Sequence, residues 1–192
     1  MAMITSGILR NLRVGPVASA ARMSDATIRT WVANHGLVLG DRHVRGEGNP
    51  RYDLSDCARL FMLHILTKKL RMDSKPAVYA VNSAVEKLTE IAEEETAAID
   101  ARRVPECQRY VMTMSAMSID SETKPEITLY SDPQAIANRN DSRGLWCEVV
   151  IDLREIVRAA RDALVNELGY STSGLSHDFA DTVSSEVRSE AA

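Results

Sequence analysis

Cysteine is scarce in this chain and poorly spaced for chemistry. The 192 residues hold three, Cys57, Cys107 and Cys147, and no two form a Cys-x-x-Cys pair. An odd number so far apart argues against a disulfide framework and a zinc knuckle. Cys57 falls on an apolar helical stripe and the others in strand-like runs, which suits buried free thiols. A sensor role for Cys107 or Cys147 is the lesser alternative. The four histidines, His35, His43, His64 and His177, form no His-x-x-x-His or His/Cys ligand cluster. Gly46-x-Gly48 is too short for a phosphate loop, and it follows no strand. No enzyme activity, metal site or cofactor is therefore expected. Long apolar runs are missing too, none approaching the roughly 20 residues that span a bilayer. Residues 1–13 lack a continuous apolar stretch followed by a small-residue cleavage site, so no membrane partner and a cytoplasmic location are expected.

What is present is ordinary in amount and uneven in placement. Hydrophobic residues make up 45% and charged residues 26%, as in a soluble globular protein. The net charge of −4 hides an asymmetry. Residues 1–75 carry 12 Lys/Arg against 6 Asp/Glu, and residues 76–192 carry 11 against 21. A basic head on an acidic body suits nucleic-acid binding by the head.

The most informative segment runs from Met23 to Trp31. Ser24 can cap a helix that starts at Asp25, and Gly36 can close it in a left-handed turn. Ile28 and Val32 then share one face, while Thr27, Arg29 and Thr30 meet solvent. Small and apolar residues at 16–21 supply a short preceding helix. The pair reads as a helix-turn-helix whose second helix can enter a DNA major groove. Ser24, Thr27, Arg29 and Thr30 are its candidate contacts, with Arg29 and Thr27 able to reach a base edge or a phosphate. Trp31 either presses on the DNA backbone or completes the core, and core packing with the indole edge near DNA is the favoured reading. Residues 40–52, with three glycines, a proline and three arginines, compose a basic wing. Arg22, Arg42, Arg45 and Arg51 are the candidate phosphate contacts.

Asp53 and Asp56 form a variant capping box for a helix to about Leu70, with Leu54, Cys57, Ala58, Phe61, Ile65 and Leu66 as its buried face. Lys68, Lys69 and Arg71 crowd its last turn, where they complement the helix dipole or touch phosphate. From Pro76 a helix is predicted to about Arg103, roughly 40 Å long. Val78, Val81, Val85, Leu88, Ala92, Glu95 and Ile99 alternate spacings of three and four along it. This seam can pack within one subunit, but a long narrow stripe is better buried against an identical partner. Glu93-Glu94-Glu95 reads as a solvated face. Beyond Pro105 the period changes to two, giving strands near 109–116, 126–131 and 145–151. A helix capped by Asp152 follows, burying Ile156, Val157, Ala160, Leu164 and Leu168. The expected fold class is α+β. It comprises a flexible arm (1–13), a winged helix-turn-helix head (14–75), a long dimerisation helix (76–104), a small α+β unit (105–168) and a disordered tail (169–192).

The order of helix-turn-helix, basic wing, capped helix and long helix resembles the MerR-type winged-helix regulators. Ser24, Thr27, Ile28, Arg29 and Trp31 match that family's recognition segment. Tyr52 and Asp56 match the Tyr and acid that start its post-wing helix, and Arg59-Leu60 continues the pattern. The resemblance covers residues 14–75. The chain departs from the family at Arg22, which replaces the turn glycine, at Ala26, which replaces a helical Arg, at Thr30, which replaces an aromatic, and at Pro50, which replaces a wing arginine. The Gly-aromatic pair before the long helix and the metal-sensing cysteines are absent.

The resemblance implies a homodimeric, sequence-specific transcriptional regulator bound to double-stranded DNA. A protein or small-molecule effector would then act at the C-terminal α+β unit, unless that unit simply extends the dimer. The alternative is an architectural DNA-binding protein of a mobile element, of the excisionase or small terminase subunit type. An acidic protein-interaction module with vestigial DNA binding is a third reading. If the seam is a dimer interface, Leu88→Glu should give folded monomers with weakened operator affinity.

Overall fold

The computed structural model describes residues 6–40, 50–106, 109–115, 127–131 and 148–170. A 3-10 turn (Ser6–Leu9) leads into α1 (Val14–Ala20) and α2 (Asp25–His35). Next come α3 (Leu54–His64), prolonged by a π-turn (Ile65–Lys69), then α4 (Ser74–Ser83) and α5 (Val85–Ala101). Strands β1 (Val111–Ser115), β2 (Ile127–Tyr130) and β3 (Glu148–Asp152) precede α6 (Leu153–Glu167). The fold is α+β and mostly helical.

Local chemistry places the helix starts. Asp53 accepts the Asp56 N–H while the Asp56 carboxylate accepts the Asp53 N–H, so the predicted capping box is complete. Asp152 accepts the N–H groups of Arg154 and Glu155 at the start of α6. Helix α3 is buried on more than the predicted face, because α1, α4, α5 and α6 all pack around it. Ser55, Asp56 and Arg59 are buried along with Leu54, Cys57, Ala58 and Leu60.

The sheet is antiparallel in the order β2-β1-β3. Met112 stands between Leu129 and Ile151, and Met114 between Ile127 and Val149. These six apolar side chains share one face, which packs on the core. The predicted half-buried strand is in fact the centre of the sheet. Val111 and Thr113 on its other face are therefore also buried between their neighbours.

Four sequence expectations change. The long helix of 76–104 is two helices, divided at Ala84, where φ is −97° and ψ 0°. Just before the break, the Ser83 hydroxyl donates to the Tyr79 carbonyl, a back-bond that bends helices. The seam is the second correction. Val78, Val81, Leu88 and Ala92 are buried, and Val85 and Ile99 half-buried, within this one chain. Helix α5 packs on α3 and α6, and α4 on α3, so the stripe is covered largely from within the chain.

Third, Glu95 is not on a solvated face. It is 0% exposed and receives Arg161 Nη1 at 2.5 Å and Arg158 Nε at 3.3 Å, both from α6. Fourth, residues 6–13 are not an arm. Leu9 and Leu12 are buried, and Leu12 exchanges two backbone hydrogen bonds with Tyr52, at 2.7 and 3.0 Å. A 3-10 turn and one bridge are too short to leave a periodic signal in sequence.

The head and the C-terminal unit also share a core. One apolar cluster runs from Leu9 to Val165, with α6 packed on α1 and α3 as well as on α5. Of the predicted tail, Gly169 and Tyr170 close α6, with Tyr170 packed against that core. Residues 171–192 lie outside the described residues. Among the described residues, no helix is long and apolar enough to cross a membrane.

Removing the Glu95 carboxylate takes the buried partner from two largely buried guanidinium groups, leaving Arg158 with Glu155 and Arg161 with Asp162. Glu95→Ala should therefore lower unfolding free energy by about 3–5 kcal/mol, read from the urea midpoint. Leu88→Glu should now unfold the chain rather than release a folded monomer. Sedimentation of a well-folded Leu88→Glu monomer would restore the seam as an interface.

Candidate nucleic-acid interface

Helix α2 is held at its ends and left open along its length. Ser24 Oγ accepts the Thr27 N–H at 3.1 Å and lies 2.7 Å from the Thr27 hydroxyl. At the other end Gly36 adopts φ 71°, and the Leu37 N–H returns to the Trp31 carbonyl at 3.2 Å. Asn82 of α4 then fixes the exit. Its amide donates to the Gly36 carbonyl and its oxygen accepts the Val38 N–H, both at 3.0 Å. Only Ile28 of α2 is fully buried.

The open face carries Ala26, Thr27, Arg29, Thr30, Ala33, Asn34 and His35. Arg29 is bound bidentately by Asp25, one turn earlier, at 2.7 and 3.2 Å, yet its side chain stays 74% exposed. The Thr30 hydroxyl donates to the Ala26 carbonyl at 2.9 Å, which leaves it free as an acceptor. Trp31 is half-buried against the core, its ring 4.7 Å from that of His35. Of the two uses considered for Trp31, packing is the one seen.

Arg22 occupies the turn between α1 and α2 with φ 54°. Its N–H bonds to the Ser19 carbonyl and that of Met23 to the Ala18 carbonyl, which is a Schellman closure of α1. This conformation suits glycine, and the sequence pattern has glycine there in the family resembled. Arg51 is half-buried. Arg42 and Arg45 lie outside the described residues, as does most of the predicted wing. The two ends of that segment are anchored. Asp56 accepts the Gly40 N–H at 2.7 Å, and Tyr52 is bridged to Leu12.

Two titrating groups report on the surrounding charge. Burial first, then the carboxylates of Asp25 and Asp56, push the Tyr52 hydroxyl up, with Arg29 opposing. Tyr52 thus sits among the charges at the starts of α2 and α3. Burial first, then Arg22, Lys69 and Lys68, push the His64 imidazole down. Cys57 is fully buried and its thiol is pushed up by that burial, which makes it inert. Among the described residues no three His, Cys, Asp or Glu side chains are grouped to hold a metal ion.

Sequence reasoning missed two positioning residues here, Asn82 and Arg59. Asn82 carries no local signal, since its partners lie 44 and 46 residues away. Arg59 was legible only as part of the family pattern. It is buried, and donates to the Val38 carbonyl, Asp56, Ser55 and Thr89.

The left-handed turn yields a test independent of any ligand. Arg22→Gly should stabilise the fold by about 1 kcal/mol, seen as a raised Tm, because the strain of a side chain at positive φ is removed. A lowered Tm would mean that the Arg22 side chain contributes more to the fold than its backbone strain costs.

No protein-family model matches the chain and no curated protein matches it, so the case for this interface rests on its own residues.

Proposed function

We propose that the chain is a sequence-specific DNA-binding regulator of transcription, with a MerR-like winged helix-turn-helix at residues 14–75. The observation that carries this reading is the posture of α2. A helix fixed at both ends, with one fully buried residue and a face of Thr27, Arg29 and Thr30 turned outward, suits insertion into a major groove. The cations around Arg22 and the end of α3 suit the phosphate backbone beside it. Arg29 would exchange its Asp25 partner for a base edge, with Asp25 keeping the guanidinium extended until DNA arrives.

Double-stranded DNA is the partner in this reading. A homodimer remains part of it, but through a surface other than the Val78 to Ile99 seam. An effector at the C-terminal unit would act on the head directly, since α6 and α3 share a core.

Selection of bound duplexes from a random pool with the full chain tests the proposal. An enriched inverted repeat is expected, and no enrichment would overturn sequence-specific binding. On the selected site, Arg29→Ala should cost about 1–3 kcal/mol while binding to scrambled duplex changes little. Arg45→Ala should weaken both duplexes and flatten the salt dependence by about one charge. Equal losses on both duplexes would make Arg29 a phosphate contact, and no loss for either variant would remove the winged-helix reading.

A further inference from the structure

Asp25 stands on the open face of α2 one turn ahead of Arg29, about 6 Å along the helix axis. Its two carboxylate oxygens are matched one to one with the guanidinium, Oδ2 to Nη2 at 2.7 Å and Oδ1 to Nε at 3.2 Å. The pair lies at the surface, with the Asp25 side chain 38% exposed and that of Arg29 74%. Ala26 and Ala33, which flank it on the helix, are exposed and too small to shield it. Asp25 is also the first residue of α2, and the N-terminal residues of a helix laid in a major groove are those that meet base edges. When Arg29 turns to a base, the Asp25 carboxylate is left in the groove without the two donors that Arg29 supplies. An ionised carboxylate only accepts hydrogen bonds, and there it stands in the field of the phosphates, so it needs a donor from the DNA. The base edges divide on this point. Guanine N7 and O6 and thymine O4 are acceptors and repel it, whereas cytosine N4 and adenine N6 carry amino donors. Adenine sets its N7 acceptor beside the amino group, and cytosine presents the amino group alone.

We propose that Asp25 is a specificity-determining residue of the DNA contact, selecting cytosine in the base pair that adjoins the one read by Arg29. The inference rests on the DNA-binding reading above and deepens it by naming the bases. The Arg29 fork matches guanine O6 and N7, and the Asp25 carboxylate accepts the cytosine N4 amino group. One ion pair in the free protein thus becomes two base contacts of opposite polarity on DNA, with each charge matched in both states. Exclusion contributes as much as attraction. Guanine or thymine facing Asp25 would set acceptor against acceptor, which penalises wrong sites beyond the loss of a contact. Two residues that are neighbours only because they stand at i and i+4 would then read neighbouring base pairs.

Duplexes bound by the full chain are selected from a random pool for wild type, Arg29→Ala, Asp25→Ala and Asp25→Asn. The guanine whose preference disappears in Arg29→Ala marks the base that Arg29 reads, and the adjoining pair is the one assigned to Asp25. Wild type should hold cytosine there. Placing guanine or thymine at that position of the selected site should weaken binding about tenfold, read by fluorescence anisotropy. Asp25→Ala should keep the guanine and accept every base at the adjoining position. Asp25→Asn, which offers a donor beside its acceptor, should move the preference from cytosine to adenine, whose N6 and N7 it matches. An enriched site whose base preferences both Asp25 variants leave unchanged would overturn this inference and leave the DNA-binding reading standing. An equal loss on every duplex would do the same, since Asp25 would then serve only the start of α2. A wild type that enriches no sequence overturns both.

Discussion

The Asp56 carboxylate is the point on which the arrangement of the head depends. It accepts the N–H of Gly40 at 2.7 Å, the N–H of Asp53 at 3.3 Å and Arg59 Nη1 at 3.4 Å. Arg59 in turn donates to the Val38 carbonyl at 3.4 Å and the Thr89 hydroxyl at 2.7 Å. Three segments meet there: the chain leaving α2, the start of α3 and the first turns of α5. Both charges are buried, so the pair is tolerated only where its geometry is satisfied. It therefore selects one arrangement of those segments more than it adds net stability. The posture of α2 follows, because a helix with one buried residue takes its position from what holds its ends.

What was legible in sequence was what is decided within a few residues. Ser24, the Asp53–Asp56 box, Asp152 and Gly36 act on backbone groups no more than five positions away, and each does as its neighbours imply. The strands were legible for the same reason, since a period of two is local. A periodic stripe, by contrast, reports that a face is buried and not what covers it. Val78, Val81 and Leu88 would read identically at a dimer interface or under α3. Glu95 was illegible because its partners stand 63 and 66 residues away. The candidate site was legible in its surface residues. The Asp25–Arg29 pair at i,i+4 was also written in the sequence, but it is a modest interaction and easily passed over. The half of the site at residues 41–49, with Arg42 and Arg45, lies outside the described residues.

The helix ends show a consistent compromise. Helices α2 and α6 close on Gly36 and Gly169, at φ 71° and 77°. Three other left-handed positions are held by Arg22, Arg71 and Arg102, at φ 54°, 53° and 53°. Each arginine gives up roughly 1 kcal/mol relative to glycine. A cation at a helix C-terminus recovers part of that through the dipole. Keeping a long charged side chain where glycine would be easier makes sense where the charge itself has work at the surface.

The shared core sets an order of events during synthesis. Helix α3 leaves the ribosome early, yet it packs extensively against α6, roughly ninety residues later in the chain. Until Leu153 and the residues after it emerge, the nascent head carries apolar surface that α6 later covers, the kind of exposure that favours aggregation. A message cut short ahead of α6 would leave the core around α3 unfinished, so the first helices and the last are needed together for either to fold.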